Sequence, residues 1–541
     1  WPPGIPYIVG NEACERFSYY GMHSILYVYM AGQLYRQHAQ YAARAEDLAT
    51  AHIHLFTAGA YALPMVGAIV ADRFLGKYRT ILWLSLVYCL GHAVLSATEG
   101  SLLGLWVGLG FIAVGAGGIK PCVSAHVGDQ FGRSNWFRLR TVYQIFYFTI
   151  NFGSTFSFLV IPWVFDFRKT ETGFLKEHAV SIAFGIPGVL MLLATGAFFM
   201  GRNVFVHVPP APGGKLGLLD ALASLAFFMA FGHLFFTAGQ SYWVMAAVSI
   251  VFLALGGAVF SLRQRHQADD GFLAVMLYTV RARLGLEPAT QLPSPRDASS
   301  GKVPDDELSR SRFFAPAVAR FGTEAVRGPH AVLKITSVFV MVPVFWALFD
   351  QNATSWVRQA QMMRTVTVFG LVVRPAQVQA LNSIMVMMLI PLMNGVGFPL
   401  VEKLGIRATA LRRMTAGMLI ASLSFVAVAL IQGLIDSSPP GTVSILWQVV
   451  PYFIITLAEV LVSITGLEFA YSQAPKRMKS TIMGFWLLAI AVGNVFVSLL
   501  AEFGRLPLIQ FFWVFAGLML LAGAIFGLRA HFYAEQDFVQ E

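Results

Sequence analysis

Charge is what this sequence lacks most. Asp, Glu, Lys and Arg make up 12% of its 541 residues and hydrophobic types 57%, where a soluble domain carries about a quarter charged residues. That excludes a string of soluble domains, the usual reading of such a length. Cysteine is scarce as well. Cys14, Cys89 and Cys122 all lie in or beside apolar runs, so they read as small hydrophobes and exclude a disulfide framework or a thiolate metal site. The chain has no His/Asp/Glu metal spacing, no Ser-His-Asp arrangement and no phosphate-binding glycine loop, and His52, His54, His92 and His126 are scattered. Enzymatic activity, a metal and an organic cofactor are therefore not expected. The net charge of +10 comes from no single basic block or helix face, so nucleic acid is not expected as a partner. The first apolar segment is too charged for the core of a signal peptide, and a chain opening on Trp1 is expected to lack some N-terminal residues.

What the chain has is apolar runs of membrane-spanning length. They cover Glu12–Gln33, His52–Phe74, Thr80–Ala97, Leu102–Val127, Thr141–Val164, Val180–Met200, Leu218–Phe236 and Trp243–Leu262 in the first part. The second part holds Leu333–Arg358, Val378–Val401, Ala408–Ile431, Val443–Tyr471, Ser480–Leu500 and Leu508–Phe532. These fourteen spans predict an all-α polytopic protein in a lipid bilayer. Basic residues collect at alternate ends: Arg73, Lys77, Arg79, Arg133, Arg138, Arg202, Lys215, Arg263, Arg265, Lys403, Arg407, Lys476, Arg477, Lys479 and Arg529 on one side, only a few such as Arg36, Arg168, Lys169 and Arg505 on the other. The richer side is expected to be cytoplasmic, with both termini there, in the cell inner (plasma) membrane. The stretch from Gln264 to Pro329, with its Gln291-Leu292-Pro293-Ser294-Pro295-Arg296 run, reads as a cytoplasmic connector with some amphipathic helix. The expected organisation is a six-helix bundle over residues 1–205, an inserted hairpin over 206–263, the connector over 264–330 and a second six-helix bundle over 331–541. Paired halves with a site at the midplane are a common transporter plan.

Charges inside the spans carry the function, because each costs roughly 2.5–3.5 kcal/mol to insert unless it has a partner or a water-filled cavity. In span one, Glu12, Glu15 and Tyr19 form one helical stripe, and Arg16, Tyr20 and His23 the next. An internally neutralised staple between helices is the bland alternative, but two acids, a base and a histidine exceed what stapling needs. Span four carries Gly115-Ala116-Gly117-Gly118-Ile119-Lys120-Pro121, glycines for close helix approach followed by an inward cation. Span nine holds Asp350 and span twelve Glu459; Glu468, nearer the basic end, reads as structural. The first half thus supplies cations, Arg16 and Lys120, and the second half acids, Asp350 and Glu459. A cavity with such walls suits a zwitterion. A free amino acid fits it as well as a peptide, so electrostatics leaves the length open.

The segment from Gly67 to Arg79, with Asp72-Arg73-Phe74-Leu75-Gly76-Lys77 at its centre, resembles the conformational loop of the major facilitator superfamily. Span one resembles the ExxERFxYY signature of the proton-dependent oligopeptide transporter family at Glu12, Glu15, Arg16, Phe17, Tyr19 and Tyr20. Gly117–Ser124 with Gly128–Phe131 is similar to that family's second signature, and Phe146–Ser154 to its fifth-helix block. The resemblance covers essentially the whole chain and implies a proton-coupled symporter importing di- and tripeptides by alternating access, with the proton as coupling ion, and a monomer. The alternative within the fold is a carrier of another small solute: an amino acid, nitrate or a peptide-like drug. At matching positions the resemblance implies proton coupling by Glu12, Glu15, Arg16 and Asp350, Lys120 either at the peptide carboxylate or paired with the cluster, and the peptide N-terminus at Glu459. The opposed charges put Arg16 with Lys120 at the carboxylate end, and pocket contacts are expected for Tyr20, His23, Tyr61, Asn151, Asn382, Ser463 and Trp486. His23 stands where the family usually has an arginine that pairs with the acid matched by Asp350, and a histidine can lose that charge near neutrality. The Phe349–Ala353 run also departs from the family's pattern.

Overall fold

The structure is a computed structural model that describes all residues except 133–134, 234–240, 267–270, 287–307, 309–310, 369, 406, 474–478, 504–505 and 534–541. Arg133, Lys476, Arg477, Arg505 and the Gln291–Arg296 run lie outside the described residues. Twelve described helices are long and apolar enough to cross a membrane, and the pair Thr323–Phe339 and Val342–Gln361, bent by 51°, makes a thirteenth span. The remaining expected span is the Ile5–Tyr29 helix. Its Glu12, Glu15 and Arg16 make it less apolar than the rest, yet it is continuous and mostly buried. It begins seven residues before the expected Glu12, because Ile5, Tyr7, Ile8 and Val9 already offer an apolar face.

Span nine differs most from expectation. An unbroken helix over Leu333–Arg358 is predicted from its hydropathy. The structure instead starts a helix at Thr323, within the expected connector, and interrupts the run between Phe339 and Val342. A 3-10 turn, Asp350–Ala353, then leads into the Ser355–Gln361 helix. Pro343 limits backbone hydrogen bonding at the first break, and the second falls where the apolar run meets Asp350-Gln351-Asn352. Among the described residues the connector holds two short helices, Phe272–Arg283 and Ala315–Phe321, with a small core of their own around Val275, Tyr278 and Phe314. Among them, too, the helical plan is interrupted by one two-residue ribbon, Thr367–Val368 against Leu371–Val372, closed at Gly370 with φ +79°.

Two apolar cores organise the spans. One draws on residues from Ile5 to Phe205, with Val357 reaching in from the other half, and the second on residues from Val332 to Phe526. Small residues set the closest approaches. A Cβ on Gly67 would meet Gly118 Cα at 2.6 Å, and one on Gly153 would meet the Ala13 carbonyl at 2.6 Å. The glycine run before Lys120 therefore lets the Leu102–Asp129 helix touch the Ala45–Val70 helix backbone to backbone. The Gly214–Gly232 and Tyr242–His266 helices form an antiparallel hairpin against the Ala45–Val70 helix. Asp220 fastens it to the basic face, accepting from Arg73 Nη1 at 2.7 Å and Arg263 Nε at 2.8 Å.

The bundles meet along two seams, the Ala45–Val70 helix on Lys479–Phe503 and the Leu139–Phe165 helix on Ala380–Leu392. On the face away from the basic loops, ion pairs close the gap. Arg358 reaches Glu46 at 2.6 Å and Asp47 at 3.2 Å, and Arg374 reaches Asp166 at 2.9 Å. Gln377 adds a 2.7 Å bond to the Leu159 carbonyl. The far face is thus stitched shut between bundles.

Candidate functional site

One wall of the central chamber is built by the Ile5–Tyr29 helix. Arg16 Nε lies 2.7 Å from Glu12 Oε1 and 3.1 Å from Glu15 Oε2, with all three residues buried. The i, i+3, i+4 spacing read from the sequence brings them together. Two carboxyls share one guanidinium, and Glu12 Oε2 and the two Glu15 oxygens have no hydrogen-bond partner. Lys120 arrives from the neighbouring helix. Its Nζ sits 4.2 Å from the Tyr19 ring centre and 3.9 Å from that of Tyr61, and it too has no hydrogen-bond partner. Lys120 is thus held by two aromatic faces. Tyr20 lies edge-on to Tyr19 and against Phe158. His23 stacks on Tyr19 at 5.7 Å and shares a 3.2 Å hydrogen bond with Thr57 Oγ1.

The opposite wall holds its acids with amides. Glu459 ends the Val449–Glu459 helix, where a π-turn, Val460–Ile464, carries Ser463; such turns gather at functional sites. Asn382 Nδ2 donates to Glu459 Oε2 at 2.8 Å and to Thr456 Oγ1 at 3.1 Å. Asp350 sits in the 3-10 turn of span nine and accepts from Asn494 Nδ2 at 2.5 Å. Neither acid has a cation within ion-pair distance among the described residues. The Asp350 partner expected on the first wall is therefore not engaged in this arrangement, closed on the face away from the basic loops, and His23 turns to Thr57 instead.

Asn494 leads to a residue the sequence reading passed over. Its Nδ2 also donates to the Ile490 carbonyl at 3.0 Å, which fixes the amide's orientation and turns Oδ1 toward His54 Nδ1, 2.7 Å away. An amide oxygen only accepts, so Nδ1 carries the proton. His54 Nε2 lies 3.0 Å from Thr354 Oγ1. Asp350, Asn494, His54 and Thr354 form one buried polar chain across the seam between bundles. The signal was present: His54 and Asn494 are strongly polar side chains in mostly apolar helices. A second polar link, Ser154 to Ser383 at 2.8 Å, joins the bundles near Asn151 and Asn382. Asn151 itself donates to its own helix at the Tyr147 carbonyl. Trp486 is 2% exposed and lies edge-on to Phe339 at 5.1 Å, which places its ring in the second core.

Two helical bundles around a polar chamber, with Lys120 and the Glu12/Glu15/Arg16 cluster on one wall and Asp350 and Glu459 on the other, define a secondary transporter of the major facilitator type. Comparison with known proteins agrees. The model of the POT family matches residues 78–234 and 297–511, and the chain belongs to that family. A crystal structure of the POT family transporter PepTSo is 36% identical, covering 98% of each chain with a TM-score of 0.74. That of an auto-inhibited POT family peptide transporter is 35% identical over 100% of this chain and 99% of the other, with a TM-score of 0.75. Solute carrier family 15 member 1 of Oryctolagus cuniculus is 25% identical, over 98% of this chain and 93% of its own length.

Proposed function

We propose that the protein imports di- and tripeptides in symport with protons by alternating access. The opposed walls carry this reading. Lys120 is a buried cation without a hydrogen-bond partner, and the acids facing it are held by neutral asparagines. A peptide's carboxylate satisfies Lys120, with Arg16 behind it, and its ammonium satisfies Glu459, so neither end remains an unpaired charge in the chamber. Tyr20, Tyr61, Asn151, Asn382 and Ser463 shape the space between, and Trp486 backs it from the second core. Asp350 and the Glu12/Glu15/Arg16 cluster share the proton coupling, and the Asn494–His54 chain ties Asp350 to the first bundle. Protonation acts as the switch by changing which bundle arrangement is favoured. A proton crossing about 100 mV supplies roughly 2.3 kcal/mol. No further cofactor takes part. The protein works as a monomer in the plasma membrane, with both termini on the cytoplasmic, basic side.

Purified protein in proteoliposomes, given an inward proton gradient and a labelled dipeptide, tests this. Accumulation above equilibrium that collapses with a protonophore is expected. Accumulation of free amino acids or nitrate in preference to dipeptides, or indifference to the protonophore, would overturn it.

A further inference from the structure

On the outer face, above the ion pairs that close the chamber, a polar cavity of about 630 Å³ opens between the two bundles. That is ample for a short peptide, since small-molecule sites run to ~300–1,000 Å³. The first bundle contributes Arg36, Glu46, Arg168 and Lys169 to its wall, and the second Arg358 and Asp436. Four cations thus face two acids. Most of these charges are engaged: Glu46 with Arg358 and Arg36, Lys169 with Asp166, Asp436 with Gln432. Arg168 has Asp166 and Glu99 as charged neighbours but no ion pair within 4 Å among the described residues. Its guanidinium carbon lies 3.8 Å from the Phe165 ring centre, and its Nη1 is buried without a hydrogen-bond partner. Packing on Phe165 explains where the side chain rests. It does not satisfy that N–H, and a buried donor left unmade costs about 1–3 kcal/mol.

We propose that this cavity is a reception site for the peptide's C-terminal carboxylate, with Arg168 as its receptor, occupied before the chamber opens outward. The inference rests on the peptide-import reading above and adds a step to it. The same cavity reaches Arg358, which locks the bundles through Glu46 and Asp47. A carboxylate arriving there competes with Glu46 for that guanidinium, so an external peptide loosens the closure it must pass.

Sidedness makes this testable, because the cavity exists only on the outer face. Dipeptide KM is measured for uptake from the outside and for exchange from the cytoplasmic side, with the free dipeptide and its C-terminal amide. Arg168→Gln is expected to raise the outer KM for the free dipeptide about five- to tenfold, close to the tenfold that 1.4 kcal/mol gives. The cytoplasmic-side KM stays unchanged, the amide is barely affected, and Arg168→Lys restores most of the loss. Should the variants fold poorly, Gln361→Cys coupled to a bulky, anionic, membrane-impermeant thiol reagent fills the cavity and is expected to raise the outer KM alike. Equal changes on both sides, equal losses for the amide, or a dependence on anionic lipid rather than on the peptide's carboxylate would overturn the proposal. Wild-type protein that moves no dipeptide at all would instead sink the import reading itself.

Discussion

The two walls of the chamber handle buried charge in opposite ways. On the first, Glu12 and Glu15 are held by a guanidinium in the same helix. On the second, Asp350 and Glu459 are held only by the amides of Asn494 and Asn382. A carboxylate paired with an arginine favours its charged form while the pair holds, because removing either partner strands the other in a place where an unpaired charge is costly. A carboxylate held by an amide retains a hydrogen bond whether or not a cation or proton arrives, so it can exchange partners. The first wall therefore takes up a proton only as its ion pairs break, whereas the second is a pair of readily exchangeable sites.

The sharpest way to break this comparison is to remove exchange. Asp350→Asn keeps the shape but cannot take or release a proton. Proton-driven accumulation of dipeptide is expected to vanish, while counterflow, which needs no net proton movement, persists at least in part. Normal accumulation would show that the proton is carried elsewhere. Glu459→Gln comes next. It is expected to weaken a free dipeptide by roughly 2 kcal/mol, about 30-fold, as when one member of a desolvated charge pair is truncated. The N-acetylated dipeptide has no ammonium and should lose little. Equal losses for both would return Glu459 to a structural role.

A smaller effect is expected at His54. His54→Gln retains polar contact with Asn494 but cannot titrate. Uptake under a proton gradient should fall about tenfold, the scale of one hydrogen bond in a charged network, with counterflow affinity unchanged. A loss of affinity instead would mean that the residue shapes the pocket. Smaller still is the outer lock. Arg358→Gln removes the pairs with Glu46 and Asp47, which are part-exposed and worth about 0.2–1 kcal/mol each. Spin labels at Ala42 and Ser437 should report a few-fold larger outward-open population. An unchanged distance distribution would leave closure to Arg374–Asp166 and the apolar seams.

How much of this was legible in the sequence divides along the same lines as the two walls. Charges in apolar runs announced themselves, and helical spacing alone placed Glu12, Glu15 and Arg16 within reach of one another. The helical spans were likewise legible, because hydropathy reports membrane length directly. Where hydropathy stays high through a bend, it misleads: Leu333–Arg358 reads as one helix, yet breaks near Pro343 and again at Asp350. The partners of the acids were harder to see. Asn382 was singled out only through a resemblance, and Asn494 and His54 are 440 residues apart, so no periodicity connects them. Only the seam between the Ala45–Val70 and Lys479–Phe503 helices joins them.

The least effect is expected at His23, which the sequence left open between a titrating site and a neutral hydrogen-bonded pocket residue. The geometry favours the second. Its ring stacks on Tyr19, the same ring that carries Lys120, and its Nε2 meets the Thr57 hydroxyl. No carboxylate lies within ion-pair distance of it among the described residues. A proton added to this ring would gain no counter-ion and would stand on the side of the chamber that already holds Lys120 and Arg16. A neutral imidazole sharing a hydrogen bond with Thr57 fits these neighbours without any such penalty. His23→Gln, which preserves a polar contact and cannot titrate near neutrality, should therefore leave the pH profile of dipeptide uptake within about twofold of wild type, less than 0.6 kcal/mol on the scale where tenfold is 1.4. His23→Arg separates charge from titration: it places a permanent cation beside Lys120, and is expected to change peptide affinity modestly while leaving the shape of the pH profile alone. A profile that loses a limb near neutrality in both variants would restore His23 as a proton site, and with it a readily exchangeable group on the first wall.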